Sequence, residues 1–229
     1  MEAISIVFFL GPFGITTTVV TTWCILFALG LGGWLVTRRL AVDDPNLLQT
    51  ALEGVVQAID SAIEAVLPGR AGLLLSFVGT LWLFVAVANL IGVVPGLHSP
   101  TGDLSTTAAL AVMVFLSVHW YGIRSEGWKA YLRHYLSPSP ILLPFHLLGE
   151  LSRTLALAVR LFGNIMSLEL AALLVLLVAG LLVPVPLLML HIVEALVQAY
   201  IFGMLALIYI GGGMQSHEES NSTMQGTRT

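Results

Sequence analysis

The sequence predicts an all-α polytopic membrane protein, and three observations carry that reading. Of 229 residues, 57% are hydrophobic and only 10% charged, against roughly 25% charged in a soluble domain. Apolar runs recur at the length a helix needs to cross a bilayer, about 20 residues, and the mean hydropathy is +0.95. The few Lys and Arg mostly gather between those runs. The net charge of −4 and the lack of a basic run argue against nucleic acid as a partner. The single cysteine, Cys24, excludes an intrachain disulfide framework and reads as a small apolar side chain.

The chain 1–229 reads as one membrane domain without internal repeats. Its first apolar stretch lacks a basic n-region and breaks at GPFG (11–14). This speaks against a cleaved signal peptide and leaves a short re-entrant or interfacial start. Membrane helices are expected over 15–37, 71–95 and 104–123, then a long one over 141–182 and a last one over 187–213. The polar residues 215–229 read as a disordered tail. The stretch 141–182 would measure about 63 Å as a straight helix, against a hydrocarbon core of about 30 Å. It must therefore incline, and PVP (184–186) turns it into a strongly tilted hairpin with the last helix.

Between the first two spans, 45–67 reads as an amphipathic surface helix. Asp44 can cap it, Pro45 opens its first turn and Pro68-Gly69 ends it. Glu53, Gln57, Asp60, Ser61 and Glu64 fall on one face, and Leu48, Leu52, Val55, Ile59, Ile63 and Val66 on another. The acids read as a solvated face. Six of the nine Lys and Arg lie in two connections, Arg38, Arg39 and Arg70, then Arg124, Lys129 and Arg133. The positive-inside tendency makes both cytoplasmic, with the N-terminus outside and the C-terminus inside.

Of the three remaining basic residues, Arg228 belongs to the tail, and Arg153 and Arg160 fall inside the long apolar stretch. Guanidinium stays charged at any physiological pH, and one at mid-bilayer depth costs about 2.5–3.5 kcal/mol on insertion scales. Glu150, Asn164, Glu169, His191, Glu194 and Gln198 join them in the last two helices. Such residues usually face a bundle interior or a water-filled cavity and mark ion paths. Glu150 and Arg153, three residues apart, can also simply neutralise one another. Arg160 has no acid at i±3 or i±4, so its counter-charge must come from another helix or another protein. Asn164, one turn on, can orient it. Glu169 lies about 180° around the helix from Arg160.

His191, Glu194 and Gln198 share a face, and in a hairpin about the prolines His191 comes close to Glu169. That pair can serve as a proton relay or as a helix-packing hydrogen bond; both readings stand. His119 and Asn89, each alone in its span, read by themselves as packing glue. His98 and Asp103 look like ordinary loop residues. No Walker loop, Cys/His metal spacing or nucleophile elbow is present, so no enzyme chemistry, metal or cofactor is expected of this chain alone.

The segments ELSRTLALAVRLFGNIMSLEL and HIVEALVQAYIFGMLALIYI, with VANLIGVVPG (87–96) and the amphipathic segment, closely resemble the subunit a family of rotary F-type ATP synthases. The resemblance covers most of the chain. It implies a membrane stator in the inner membrane of a bacterium, beside a rotating ring of c-subunits, with a b-subunit peripheral stalk and the rest of the complex as partners. It makes Arg160 the arginine facing the ring's ion-carrying carboxylate, between two half-channels. It places Asn164, Glu169, His191 and Gln198 at half-channel or arginine-supporting positions, and Asn89 at a polar site of the second span. In this hairpin Leu157 and Ser167 would lie along the ring-facing side. The chain departs from the family in having His146 where many relatives carry a carboxylate, Gly92 where an acid is frequent, and Glu194 as an additional acid. The translocated ion is expected to be a proton, with sodium as the alternative.

Overall fold

The computed structural model describes residues 6–10, 13–38, 40, 46–94, 97–128, 143–179 and 184–215. A two-stranded antiparallel hairpin, β1 (Ile6–Leu10) and β2 (Phe13–Thr16), leads directly into α1 (Thr17–Thr37). The sequence reading assigns no strand there. The β-branched and aromatic run IVFF favours an extended chain once a turn lets it fold back. There follow α2 (Leu47–Val66), α3 (Ala71–Ile91), a 3-10 turn at Pro100–Gly102, α4 (Leu104–Glu126), α5 (Leu143–Ala179) and α6 (Pro184–Gln215). Among the described residues five helices are long and apolar enough to cross a membrane: all but α2. The expected Asp44 cap and the tail beyond Gln215 lie outside the described residues.

The end of α2 and the start of α4 have local causes, and α1 satisfies three of its own hydroxyls. Three threonines of α1 turn their hydroxyls onto carbonyls one turn back, Thr21 onto Thr17 at 3.0 Å, Thr22 onto Thr18 at 2.8 Å and Thr37 onto Gly33 at 2.9 Å. These three hydroxyls therefore present no unpaired donor to lipid. At the end of α2, Gly69 takes φ +75°, open to a residue without Cβ. Its N–H donates to Glu64 Oε1 at 2.7 Å. Asp103 caps α4 by accepting from Ser105 N–H at 2.9 Å, meeting one of the helix's orphan donors.

The centre is built from α3, α4, α5 and α6. Leu81, Phe84, Val85, Ala88, Leu110, Val114, Leu157, Leu161 and Phe202 are buried together there. A second cluster seats α2 on the bundle through Ile59, Ile63 and Leu67, against Leu74 and Val78 of α3 and Leu207 and Ile210 of α6. Towards the start of α2, Leu52, Val55 and Val56 of the same apolar face are exposed. In α1 only Ile25 is buried, so that helix is peripheral.

Among membrane helices, apolar burial gains little from lipid that is equally apolar, so close packing decides which helices associate. Glycines of α6 permit it. A Cβ on Gly203 would stand 2.7 Å from Trp82 Cδ2, and one on Gly213 would stand 2.9 Å from Val118 Cγ1. Gly203→Ala should therefore overpack the α3–α6 contact and destabilise the fold by about 1–3 kcal/mol. Thermal unfolding of the detergent-purified chain checks this. Adding Trp82→Leu should restore most of the loss.

Candidate functional site

The polar residues of the hairpin sort by helix face. One face of α5, carrying Leu157, Leu161, Ile165 and Leu168, is buried in the bundle; the other, carrying Leu155, Val159, Met166, Leu170 and Leu173, is exposed. Leu157, expected along the ring-facing side, is thus a core residue at 2% exposure, because its position on α5 coincides with the Leu161 and Leu168 face. Ser167 is exposed.

Arg160 is exposed at the flank of that open apolar face. Among the described residues it makes neither a hydrogen bond nor an ion pair, so none of them compensates its charge. One turn on, Asn164 Nδ2 donates to Gln198 Oε1 at 2.6 Å. Gln198 is 2% exposed, and this amide pair ties α5 to α6 directly behind the arginine. Arg153 lies over the Tyr209 ring of α6, 5.9 Å from its centroid, a cation–π placement.

Glu169 occupies a cradle made by the connection between α3 and α4. Ser99 N–H donates to its Oε1 at 3.2 Å. A Cβ on Gly102 would stand 3.2 Å from Oε2, and one on Gly92 would stand 3.4 Å from Oε1. The absence of a side chain at Gly102 leaves room for the carboxylate there, whereas the tight contact at Gly92 is with Ser99 Cβ at 3.0 Å. Gly92, where an acid is frequent in the resembled family, still adjoins the acid this chain does have.

The same connection is pinned to the bundle by buried groups. Thr101 Oγ1 donates to Asn89 Oδ1 at 2.7 Å, and Asn89 Nδ2 donates to the Ala195 carbonyl of α6 at 3.2 Å. Ser99 Oγ lies 2.6 Å from Thr101 Oγ1 and donates to the Ala88 carbonyl at 2.8 Å. This chain of contacts links α6 through α3 to the loop that holds Glu169.

His191 is 2% exposed, and its Nε2 has no hydrogen-bond partner among the described residues. Glu169 and His191 thus form no hydrogen bond through that nitrogen; the carboxylate is engaged by the loop instead. Glu194 is half-buried one turn further along α6. Glu150 meets His119 of α4, with Nε2 and Oε2 3.3 Å apart, while Arg153 is turned to Tyr209. The side chain of His146 lies outside the described residues.

The sequence reading missed Ser99, Thr101 and Gly102, and it did not pair His119 with Glu150. A polar loop and a lone histidine carry no periodic signal that would name a distant partner.

Thr101→Val should leave the Asn89 acceptor buried without its donor, which costs about 1–3 kcal/mol. Thr101→Ser should keep the bond. Thermal unfolding of the two purified variants should separate them, with only the valine variant lowered.

Comparison with known proteins places this geometry in context. The family model described as ATP synthase A chain matches residues 16–211. ATP synthase subunit a 2 of Pelobacter propionicus is 64% identical over 222 residues, covering 97% of each chain. ATP synthase subunit a 1 of Hahella chejuensis is 60% identical, covering 96% of this chain and 93% of the relative. ATP synthase subunit a of Legionella pneumophila (strain Paris) is 59% identical, covering 92% of each.

Proposed function

This chain belongs to the ATP synthase subunit a family, and from that premise we propose that it is the stator that passes protons between two half-channels by way of a c-subunit ring. It is a multi-pass membrane subunit of the ATP synthase complex, without catalysis of its own. The observation that carries the proposal is Arg160, charged, exposed beside an apolar helix face and unpaired among the described residues. The missing counter-charge is the ion-carrying carboxylate of a c-subunit.

The mechanism follows from charge and solvation. A ring carboxylate facing lipid must be neutralised by a bound ion, because burial disfavours its charged form; beside a guanidinium the charged form is favoured and the ion leaves. Arg160 stays protonated throughout, so it cannot pass a proton on and it separates the two aqueous paths. The amide pair Asn164–Gln198 fixes the helix surface from which Arg160 projects.

Glu169 and Glu150 lie nine and ten residues from Arg160 in opposite directions, about 13.5 Å and 15 Å along the helix. They fall at the ends of two separate paths. Positive-inside orientation makes the 97–103 connection external, so Glu169, Asn89, His191 and Glu194 belong to the outer path. Glu150 and His146 belong to the inner one. Carboxylates and imidazoles exchange protons readily near neutral pH, which supports protons as the ion. Each proton crossing the full potential supplies about 2.3 kcal/mol per 100 mV. The long α5–α6 hairpin lies inclined along the ring in a bacterial inner membrane, and the b-subunit stalk holds the stator still.

Arg160→Ala should reduce ATP-driven proton pumping in membrane vesicles to background. Arg160→Lys should be severely impaired, since an ammonium lacks the planar fork and loses its proton when desolvated. Wild-type pumping by the alanine variant would refute the proposal. On a Cys24→Ser background, Glu169→Cys should react with small water-soluble thiol reagents added from the outer side, and Leu161→Cys should not.

A further inference from the structure

The contact between α4 and α5 contains a pair that neither the family's name nor the proposed arginine mechanism employs. His119 Nδ1 lies 2.9 Å from the Phe115 carbonyl oxygen one turn back. A carbonyl only accepts, so Nδ1 carries a hydrogen. That fixes Nε2 as the nitrogen facing Glu150 Oε2, 3.3 Å away. Without a proton between them, a nitrogen lone pair would confront a carboxylate oxygen shielded from solvent. One proton in the contact removes the conflict and leaves the pair with no net charge, whichever atom holds it.

The ring of Phe115 is 4.4 Å from the His119 ring, centroid to centroid. An aromatic ring at that range favours a cation, so at rest the proton sits on His119 opposite the Glu150 carboxylate. The two side chains are 27% and 22% exposed, neither sealed in the core nor free in water. Arg153, three residues beyond Glu150, is turned over Tyr209.

We infer that His119 and Glu150 form a one-proton exchange site that terminates the inner path. This rests on the stator reading above and names the proton-carrying groups of one of its half-channels. A proton arriving by water from the ring side binds Glu150 while His119 Nε2–H passes its own proton toward the cytoplasm. Nε2 then recovers a proton from Glu150, and the pair returns to its resting state. No electron or further reactant is required, and the pair ends with the single proton it began with. Protonation of a neutral-pH imidazole suits such exchange, whereas a lysine would hold its proton too tightly.

The test uses the intact ATP synthase in its membrane, with ATP hydrolysis reporting assembly. His119→Gln and Glu150→Gln should each lower ATP-driven pumping at least fivefold while hydrolysis persists, and the double variant should fall no further. His119→Lys, which keeps a cation opposite Glu150, should pump no better than His119→Gln. Nitrogen-15 histidine spectra at pH 7.5 should show His119 as an imidazolium in the wild type and as a neutral ring in Glu150→Gln. Unchanged pumping in both single glutamine variants would overturn the inference, as would full rescue by His119→Lys or a neutral His119 in the wild type. Arg160→Ala, run alongside, separates the two ideas. Loss of pumping there with unchanged pumping in the pair variants rejects the exchange site alone; retained pumping there rejects the stator reading itself.

Discussion

The guanidinium of Arg160 is the constraint around which the rest of the molecule is arranged. A charge at membrane depth costs about 2.5–3.5 kcal/mol on insertion scales, and no group in the described structure offsets it. A chain meant to stand alone in lipid would neutralise or bury such a residue. This one instead leaves Arg160 at the edge of an apolar surface and fixes the backbone behind it. The amide pair across α5 and α6 is half-buried, short and neutral. It orders the arginine's helix without quenching its charge, which then remains available to a partner.

Elsewhere the membrane segments mostly satisfy their polar groups at home. Thr21, Thr22 and Thr37 of α1 bond their own backbone. Asn89, Ser99 and Thr101 join α3, α6 and the 97–103 connection in one buried set. Against that background Arg160 and the His191 Nε2 atom stand out as unpartnered among the described residues. Glu169 rests on glycine backbone at one end of α5 and Glu150 faces an imidazole at the other. Their separation along α5 supports two paths that meet only at the arginine.

Much of this was legible in the sequence, because membrane burial is read from composition and length. The five spans, the amphipathic α2 and the unpaired state of Arg160 follow from hydropathy, periodicity and the absence of an acid one turn away. The shared burial of His191 and Gln198 follows from their spacing on α6. What escaped was everything decided between helices. Spacing showed that Glu169 faces away from Arg160, but not that Gly102 would receive it. It brought Glu169 toward His191, whereas the loop claims the carboxylate. It placed His119 in an apolar span, but a histidine's partner on another helix depends on rotation and depth that one sequence does not encode. Leu157 was misassigned for the same reason: the buried face of α5 is set by its neighbours.

The central claim is that the exposed face of α5 beside Arg160 packs on a ring of c-subunits, and disulfide scanning tests it most directly. Single cysteines along α5, in a Cys24→Ser background, would be paired with cysteines flanking the c-subunit carboxylate in the assembled complex. The account predicts crosslinks from Leu155, Val159, Met166 and Leu170 and none from Leu157, Leu161 or Ile165. Crosslinks from the buried set, or none from the exposed set, would contradict it.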